Sequence, residues 1–516
     1  MKAQLVVKDA IVVTPGGRYR ASIVVEDGRI SSITDGSNLP GAERVIDAEG
    51  RFLIPGLVDG HTHPGGKFLL EEDLRNETPG AAAGGVTTIG IMYSAARATR
   101  VYKEFTEPED VIPWSEALPI TQEIGEEESL VDFFVTPSIN TFEQAAEIPR
   151  IAYEHGLTSF KFYCNLKSEK WDNIGPGWRA RIGWPIPFDD GLIYYAFEQI
   201  GKLGPSGMAC IHAENTEVAT VFMNALREGG RTDPAAWSDR SPEWLEAEHI
   251  SRYSLFARKA NCKRLYIVHL SSGEGLEAAK EGRAKGTNVI VETCPQYLTM
   301  TKFDEAGVLL KVNPPIRDRQ NNEALWEGVI DGHVNCLGTD HVVTSTNEKL
   351  EKGDTAGRDE DPHTNIWATG SGFPGLEYSL ALMLSEGVHK NRITLEKVVE
   401  IACANTAYQF GLYPKKGAIQ VGSDADFVIL DMDKTQRVVG KEARSRADFS
   451  IYDGKELRGW AGVTVARGEV IFEDGKVLGA PGRGKYLPRL PDSIIHPADM
   501  DWVPATRPER KAISIP

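Results

Sequence analysis

The chain is poor in the features that mark secreted, membrane-bound or nucleic-acid-binding proteins. Its six cysteines, Cys164, Cys210, Cys262, Cys294, Cys336 and Cys403, lie far apart with no Cys-x-x-Cys spacing. Neither a disulfide framework nor a cysteine-rich zinc module is expected, and a reduced, cytoplasmic protein is the simplest account. No apolar run approaches the ~18 residues of a membrane span, and Met1–Val7 does not open a signal-peptide core. Basic residues are outnumbered, 57 Lys and Arg against 74 Asp and Glu, for a formal net charge of -17. That balance argues against nucleic acid as a partner, because binding it needs a basic footprint. It leaves a small-molecule substrate open. Internal repeats and low-complexity segments are absent, and no glycine-rich phosphate fingerprint follows the first barrel-type strand.

What is present describes an ordinary globular enzyme of 516 residues, 41% hydrophobic and 25% charged. That length suits one large domain and a smaller one. The first fifty residues alternate in strand fashion, with Asp27-Gly28 as a hairpin turn. A similar pattern returns at Asp424–Asp431 and Val463–Gly475. The two ends are expected to pair into one β-sandwich, residues 1–51 and 413–479. Between them, over 52–412, short apolar strands alternate with amphipathic helical text, which argues for parallel βα units. Eight strands are expected: Phe52–Val58, Val86–Met92, Phe133–Ile139, Ser159–Tyr163, Met208–His212, Leu265–Leu270, Asn288–Thr293 and Val334–Gly338. Eight such units predict a closed (β/α)8 barrel, with its site at the C-terminal strand ends. The proline-rich residues 480–516 read as an extended arm, placed either along a neighbouring subunit or in no fixed position.

Polar residues fall at those strand ends. The first strand runs out into His61 and His63, whose i, i+2 spacing aims two imidazoles to one side. Lys161 lies on the fourth strand, His212 ends the fifth, His269 the sixth and Asp340 the eighth. Neutral imidazole is the commonest side-chain metal ligand, and four histidines with a carboxylate suit Zn2+ better than Ca2+ or Mg2+. One catalytic zinc that keeps an open position cannot use them all, so two metals are the natural inference. An ammonium flanked by Phe160 and Phe162 would be costly to bury beside two dications. As a carbamate, formed with CO2, Lys161 becomes an anion able to bridge both.

With these residues in place, the chain resembles the cyclic-amidase branch of the amidohydrolase superfamily: hydantoinase, dihydropyrimidinase, allantoinase and dihydroorotase. The matching text is Pro55–His63, Ser159-Phe160-Lys161, His212–Asn215, Val268–Ser271, Glu292–Leu298, Lys311–Arg317, Gly338–His341 and Gly417–Asp426. The likeness runs to about Gly479. It implies that His61, His63 and Asp340 hold one divalent metal, zinc by expectation, and His212 and His269 the other. Carboxylated Lys161 would bridge them. Asp340 would carry the proton from a bridging hydroxide to the leaving nitrogen. The activity implied is hydrolysis of a cyclic amide, imide or ureide by a cytoplasmic homo-oligomer, dimer or tetramer. An open-chain amide or carbamate, or dihydroorotase- or allantoinase-type chemistry, is the alternative on the same centre. A silent scaffold relative would have lost ligand positions, and here all six are filled.

The substrate-facing text departs from the family. The arginine clamp expected two residues after the His-x-His pair is replaced by Pro64-Gly65, a hydantoinase tyrosine by Leu166, and the ring-binding asparagine by Ser371. Asn313 stands where hydantoinases have serine. Tyr163, Asn313 and Ser371 are therefore the candidate substrate-binding residues. A long segment from Asn165 to Asp190, with Trp171, Trp178 and Trp184, and a second from Val342 to Ser371 are expected at the barrel mouth. A neutral substrate bearing an apolar or aromatic group is the expectation.

Overall fold

The computed structural model describes residues 2–93, 112–166, 189–351 and 361–489. The chain enters through β1 (Ala3–Thr14), β2 (Gly17–Glu26), β3 (Arg29–Thr34), β4 (Ala42–Asp47) and β5 (Phe52–Pro55). Eight strands then alternate with helices: β6 (Leu57–Thr62), β7 (Val86–Tyr93), β8 (Asp132–Pro137), β9 (Ser159–Tyr163), β10 (Met208–His212), β11 (Arg264–Ile267), β12 (Val289–Thr293) and β13 (Cys336–Leu337). The chain leaves through β14 (Phe427–Arg437), β15 (Glu456–Ala466), β16 (Glu469–Glu473) and β17 (Lys476–Val477).

β6–β8 form one parallel sheet and β9–β13 another. Bridges between Ser138 and Lys161 and between Thr62 and His341 join the two at both edges, closing the (β/α)8 ring. Both chain ends share a mostly antiparallel nine-stranded sheet in which β14 pairs with β5. Its own apolar cluster includes Val7, Val12, Ile23, Leu53, Phe427 and Val465.

One expected strand is divided. The run Phe52–Val58 does not enter the barrel as a unit: β5 belongs to the nine-stranded sheet, and the first barrel strand begins at Leu57. The break falls at Pro55-Gly56, where proline supplies no N–H to a ladder and a Cβ on Gly56 would lie 2.2 Å from the Thr87 hydroxyl. The other seven strands lie where the alternation places them, within a few residues.

The barrel interior is layered. Val58, Met92, Phe134, Met208, Cys210, Tyr266 and Ile290 fill the lower part as one apolar cluster. Polar side chains occupy the upper part because inward positions recur every second residue: Cys210 then His212, Ile290 then Glu292. Residues 484–489 of the arm lie against the chain's own barrel, between β8 and β9. Phe133 N–H donates to the Lys485 carbonyl and Leu487 N–H to the Phe133 carbonyl. The Arg489 guanidinium is fully buried, donates to Ser159 Oγ and the Val135 carbonyl, and lies 4.5 Å from the centre of the Phe134 ring. Gly156 admits this strap. It ends the Phe142–His155 helix with a φ of 67°, and a Cβ there would stand 2.7 Å from Pro488.

No helix among the described residues is long and apolar enough to cross a membrane. All six cysteines are free and buried.

Candidate metal centre

The six residues singled out at strand ends meet at one end of the barrel. His61 Nε2 lies 3.1 Å from His63 Nε2 and 3.4 Å from Asp340 Oδ1, and His63 Nε2 lies 2.9 Å from the same oxygen. Lys161 Nζ is 3.4 Å from His61 Nε2. His269 Nε2 faces His212 Nδ1 at 2.9 Å, and the His61 and His269 rings are 5.2 Å apart. All but His63 are buried, and His63 is nearly so.

The outward nitrogens decide the protonation of these rings. His63 Nδ1 lies 2.7 Å from the Met92 carbonyl, which can only accept, so Nδ1 carries the proton and Nε2 presents a lone pair. His61 Nδ1 lies 2.7 Å from Glu292 Oε1. That carboxyl also accepts from His269 N–H at 3.0 Å and from the Tyr266 hydroxyl at 2.8 Å. Burial pushes Glu292 up to about 8, and these donors work against it. Burial, then the charge of Lys161, holds His61 well below the ordinary imidazole range. Three acceptor atoms, from His61, His63 and Asp340, therefore converge within 4.8 Å of one another. Such a cluster of lone pairs repels itself unless a cation lies among them.

The second pair is arranged alike. Burial raises Glu214, but Arg240 first and then His212 and Ser241 outweigh it and hold the carboxyl at about 2. His212 Nε2, 3.3 Å away, donates to this anion and leaves Nδ1 as a lone pair toward His269. His269 is likewise held well below its usual range by burial first, then by His212 and Lys161. Its Nδ1 is buried without a hydrogen-bond partner. Burial also pulls Lys161 down to about 8. The donor set, neutral imidazoles with a carboxylate and an easily deprotonated amine, fits two first-row divalent ions.

Backbone strain marks the same residues. His269 (φ 43°) and Asp340 (φ 53°) are the non-glycine residues at the described barrel strand ends with left-handed backbones. Such conformations cost about 1–3 kcal/mol each and persist only where neighbours enforce them. For Asp340 both neighbours are pinned. Thr339 donates from N–H and hydroxyl to Asp59, at 3.2 and 2.6 Å, and the His341 carbonyl accepts from His63 N–H at 2.8 Å. Gly338 has to be glycine, since a Cβ there would lie 2.6 Å from the Glu292 carboxyl carbon.

Of the substrate-side candidates, Tyr163 places its hydroxyl 3.2 Å from the Met92 carbonyl and 3.3 Å from His63 Nδ1. Asn313 Oδ1 accepts from Arg240 at 2.9 Å, and the Ser371 carbonyl accepts from Lys67 Nζ at 2.7 Å. Trp171, Trp178, Trp184 and residues 352–360 lie outside the described residues. Sequence reasoning assigned no role to Glu292, Asp59, Glu214, Arg240 or Lys67. The available signal was a lone acid at the end of an apolar strand: Glu292 closes Val289-Ile290-Val291, and Asp59 follows Leu57-Val58.

A closed (β/α)8 barrel with histidines and an aspartate gathered at one end defines a metal-dependent amidohydrolase. Residues 253–464 match the amidohydrolase family. Over 499 residues the chain is 32% identical to an L-hydantoinase of Paenarthrobacter aurescens, covering 94% of this chain and 98% of that one. It is 31% identical over 508 residues to a D-hydantoinase of Geobacillus stearothermophilus, covering 96% and 98%. Among solved structures, an L-hydantoinase (dihydropyrimidinase) from Arthrobacter aurescens superposes with a TM-score of 0.81 at 30% identity, covering 94% of this chain and 100% of that one. A dihydropyrimidinase from Brevibacillus agri gives 0.82 at 25% identity, covering 95% and 99%. The chain belongs to the hydantoinase and dihydropyrimidinase-like cyclic amidases, hydrolases of carbon–nitrogen bonds other than peptide bonds.

Proposed function

We propose that this enzyme opens a neutral cyclic amide, imide or ureide at a binuclear zinc centre, and that the ring carries an apolar or aromatic substituent. The observation that carries the centre is the convergence of ligand atoms from His61, His63 and Asp340. His212 and His269 are proposed for the second ion, with Lys161 as a carbamate between the two. When bound, the metals would polarise the amide carbonyl and acidify the attacking water.

The chain's own groups do the rest. Asp340 takes a proton from the attacking water as oxygen bonds to the acyl carbon. It returns that proton to the ring nitrogen as the C–N bond breaks, leaving an open-chain acid and an amine, amide or ureido nitrogen. Its left-handed backbone, held by Thr339 and His341, keeps the carboxylate aimed at the histidine pair. Glu292 and the Met92 carbonyl keep the two imidazoles in the metal-binding tautomer. Tyr163, Asn313 and Ser371 are proposed to orient the substrate. Arg317 is the basic residue that could otherwise replace the missing clamp. It is buried and donates to Ser271 Oγ and the Ser241 carbonyl, while its Nη2 has no hydrogen-bond partner, so the neutral-substrate reading rests on Pro64-Gly65 and not on Arg317.

The test compares kcat/KM for an aryl-substituted hydantoin, dihydrouracil, allantoin and dihydroorotate on one zinc-loaded preparation. The aryl hydantoin or dihydrouracil should lead. Fastest turnover of dihydroorotate would overturn the substrate reading, and protein that binds no metal would overturn the centre.

A further inference from the structure

One helix, Leu70–Ala83, stands behind both loops that carry ligands of the proposed first metal. Two of its carboxylates, Asp73 and Glu77, are one turn apart and 0% and 1% exposed. Asp73 Oδ2 accepts from Gly65 N–H at 2.8 Å, in the turn that follows His63. A second bond, from Gly66 N–H to the His63 carbonyl at 3.1 Å, closes that turn. Glu77 Oε2 lies 3.2 Å from Nε2 of buried His341, the residue after Asp340, in ion-pair range though off the line of a hydrogen bond. The other His341 nitrogen, Nδ1, accepts from Gly375 N–H at 3.0 Å. It is therefore unprotonated, and the ring proton sits on Nε2, toward Glu77. Glu77 is held in turn by the Ser445 hydroxyl and by Arg446 N–H at 2.8 Å. The helix itself is seated by close approaches. A Cβ on Gly80 would lie 2.6 Å from the Arg444 carbonyl, and one on Gly84 would lie 2.6 Å from that of Leu376.

We propose that Asp73 and Glu77 are positioning residues for the metal centre. Glu77, through His341, sets the loop that carries Asp340, and Asp73, through the Gly65 turn, sets the loop that carries His63. Neither carboxylate touches a proposed metal ligand's donor atom. Both act on backbone geometry, and the residue most exposed to an error in that geometry is Asp340, whose left-handed conformation has to be enforced from its flanks. The same contacts tie the site to residues 444–446, between β14 and β15, so the nine-stranded sheet's loop region bears on the catalytic loop. The inference rests on the metal reading above.

The test uses full-length, zinc-loaded protein and two readouts, the kcat-against-KM split and the rate at which a chelator strips zinc. Groups that orient metal ligands without binding metal typically contribute about 10–100-fold to affinity or activity. Glu77→Leu should lower kcat by about that much with KM within about threefold, and should speed zinc loss about tenfold or more. Glu77→Gln keeps an oxygen for the His341 proton and should restore both to within about threefold of the original. In cobalt-substituted protein the visible absorption should change in Glu77→Leu and not in Glu77→Gln. Should Glu77→Leu fail to fold, Asp73→Ala and Ser445→Ala serve instead, each expected to speed zinc loss. Normal kcat and normal zinc retention in the folded variants, with only a lower melting temperature, would reduce the pair to a packing role and overturn the proposal. An original protein that binds no zinc would instead defeat the metal reading, before any variant is compared.

Discussion

The reactivity of Lys161 can be put in numbers. Burial holds its amine at about 8, against 10.5 for an ordinary lysine. That difference corresponds to about 3 kcal/mol of penalty on the charged form. At pH 7 about one tenth of the buried amine is therefore neutral, roughly 300-fold more than for a solvated lysine. Only the neutral amine can attack CO2, so the barrel interior prepares this residue for carbamate formation. The perturbation is to strip metal and CO2, then add zinc with 13C-labelled bicarbonate at several pH values while holding dissolved CO2 constant. The folded-state pKa is depressed, so the neutral fraction rises about tenfold per pH unit below about 8 and levels off above it. Each CO2 captured releases a proton, so the final yield keeps rising with pH, but the initial rate at which the carbamate carbon signal appears, and zinc uptake with it, should follow that curve. Lys161→Ala should show neither, with partial return of zinc on adding propionate. An initial rate that keeps rising to pH 10, or zinc uptake indifferent to CO2, would refute the argument.

Two further outcomes are expected. Asp340→Asn keeps the shape but cannot take a proton, so kcat should fall by about 10²–10⁴-fold with little change in KM; a loss below tenfold would assign proton transfer elsewhere. Arg489→Ala removes a buried guanidinium and leaves Ser159 Oγ and the Val135 carbonyl without that donor. It should cost about 1–3 kcal/mol of stability, read by denaturant unfolding with activity per folded molecule unchanged; an unaltered midpoint would make the strap decorative.

The proposed ligands were legible in the sequence because two independent signals coincide on them, residue type and position at the end of an apolar strand. Seven of the eight strands were legible for the same reason, the alternation of short apolar runs with helical text. The signal failed at Phe52–Val58, where one apolar run serves two sheets: hydrophobicity is continuous across Pro55-Gly56, but hydrogen-bond partners are not. The residues that orient the ligands were not legible. Asp73 and Glu77 sit in an acidic helix, Glu71-Glu72-Asp73 through Glu77, where composition alone suggests a solvated face; Asp73 is instead turned to the Gly65 turn, and Glu77 to loops more than 250 residues away, at His341 and Ser445. The strap at 484–489 was legible as extended chain, but not its destination. That depends on the fit of Leu487 and Arg489 at the foot of β8 and β9.

The charges at the top of the barrel make sense only as a set. Burial drives the groups there toward neutrality: His61 and His269 well below their usual range, Lys161 down to about 8, Glu292 up to about 8 and Asp59 up to about 6. Left to itself, such a site would keep a proton on Glu292 at neutral pH and few on its rings. Yet both Glu292 oxygens are served by donors, and Asp59 accepts from two backbone N–H groups and the Thr339 hydroxyl. That is how carboxylates are held, rather than carboxylic acids. The hydrogen bonding is thus built for anions in a place where burial alone disfavours them, and positive charge nearby resolves the conflict. Two divalent ions among the histidines would lower Glu292 and Asp59 and favour a carbamate over an ammonium at Lys161. On this argument the second layer of carboxylates is as much a sign of the metals as the ligands are, and it was found from hydrogen-bond directions that no residue spacing encodes.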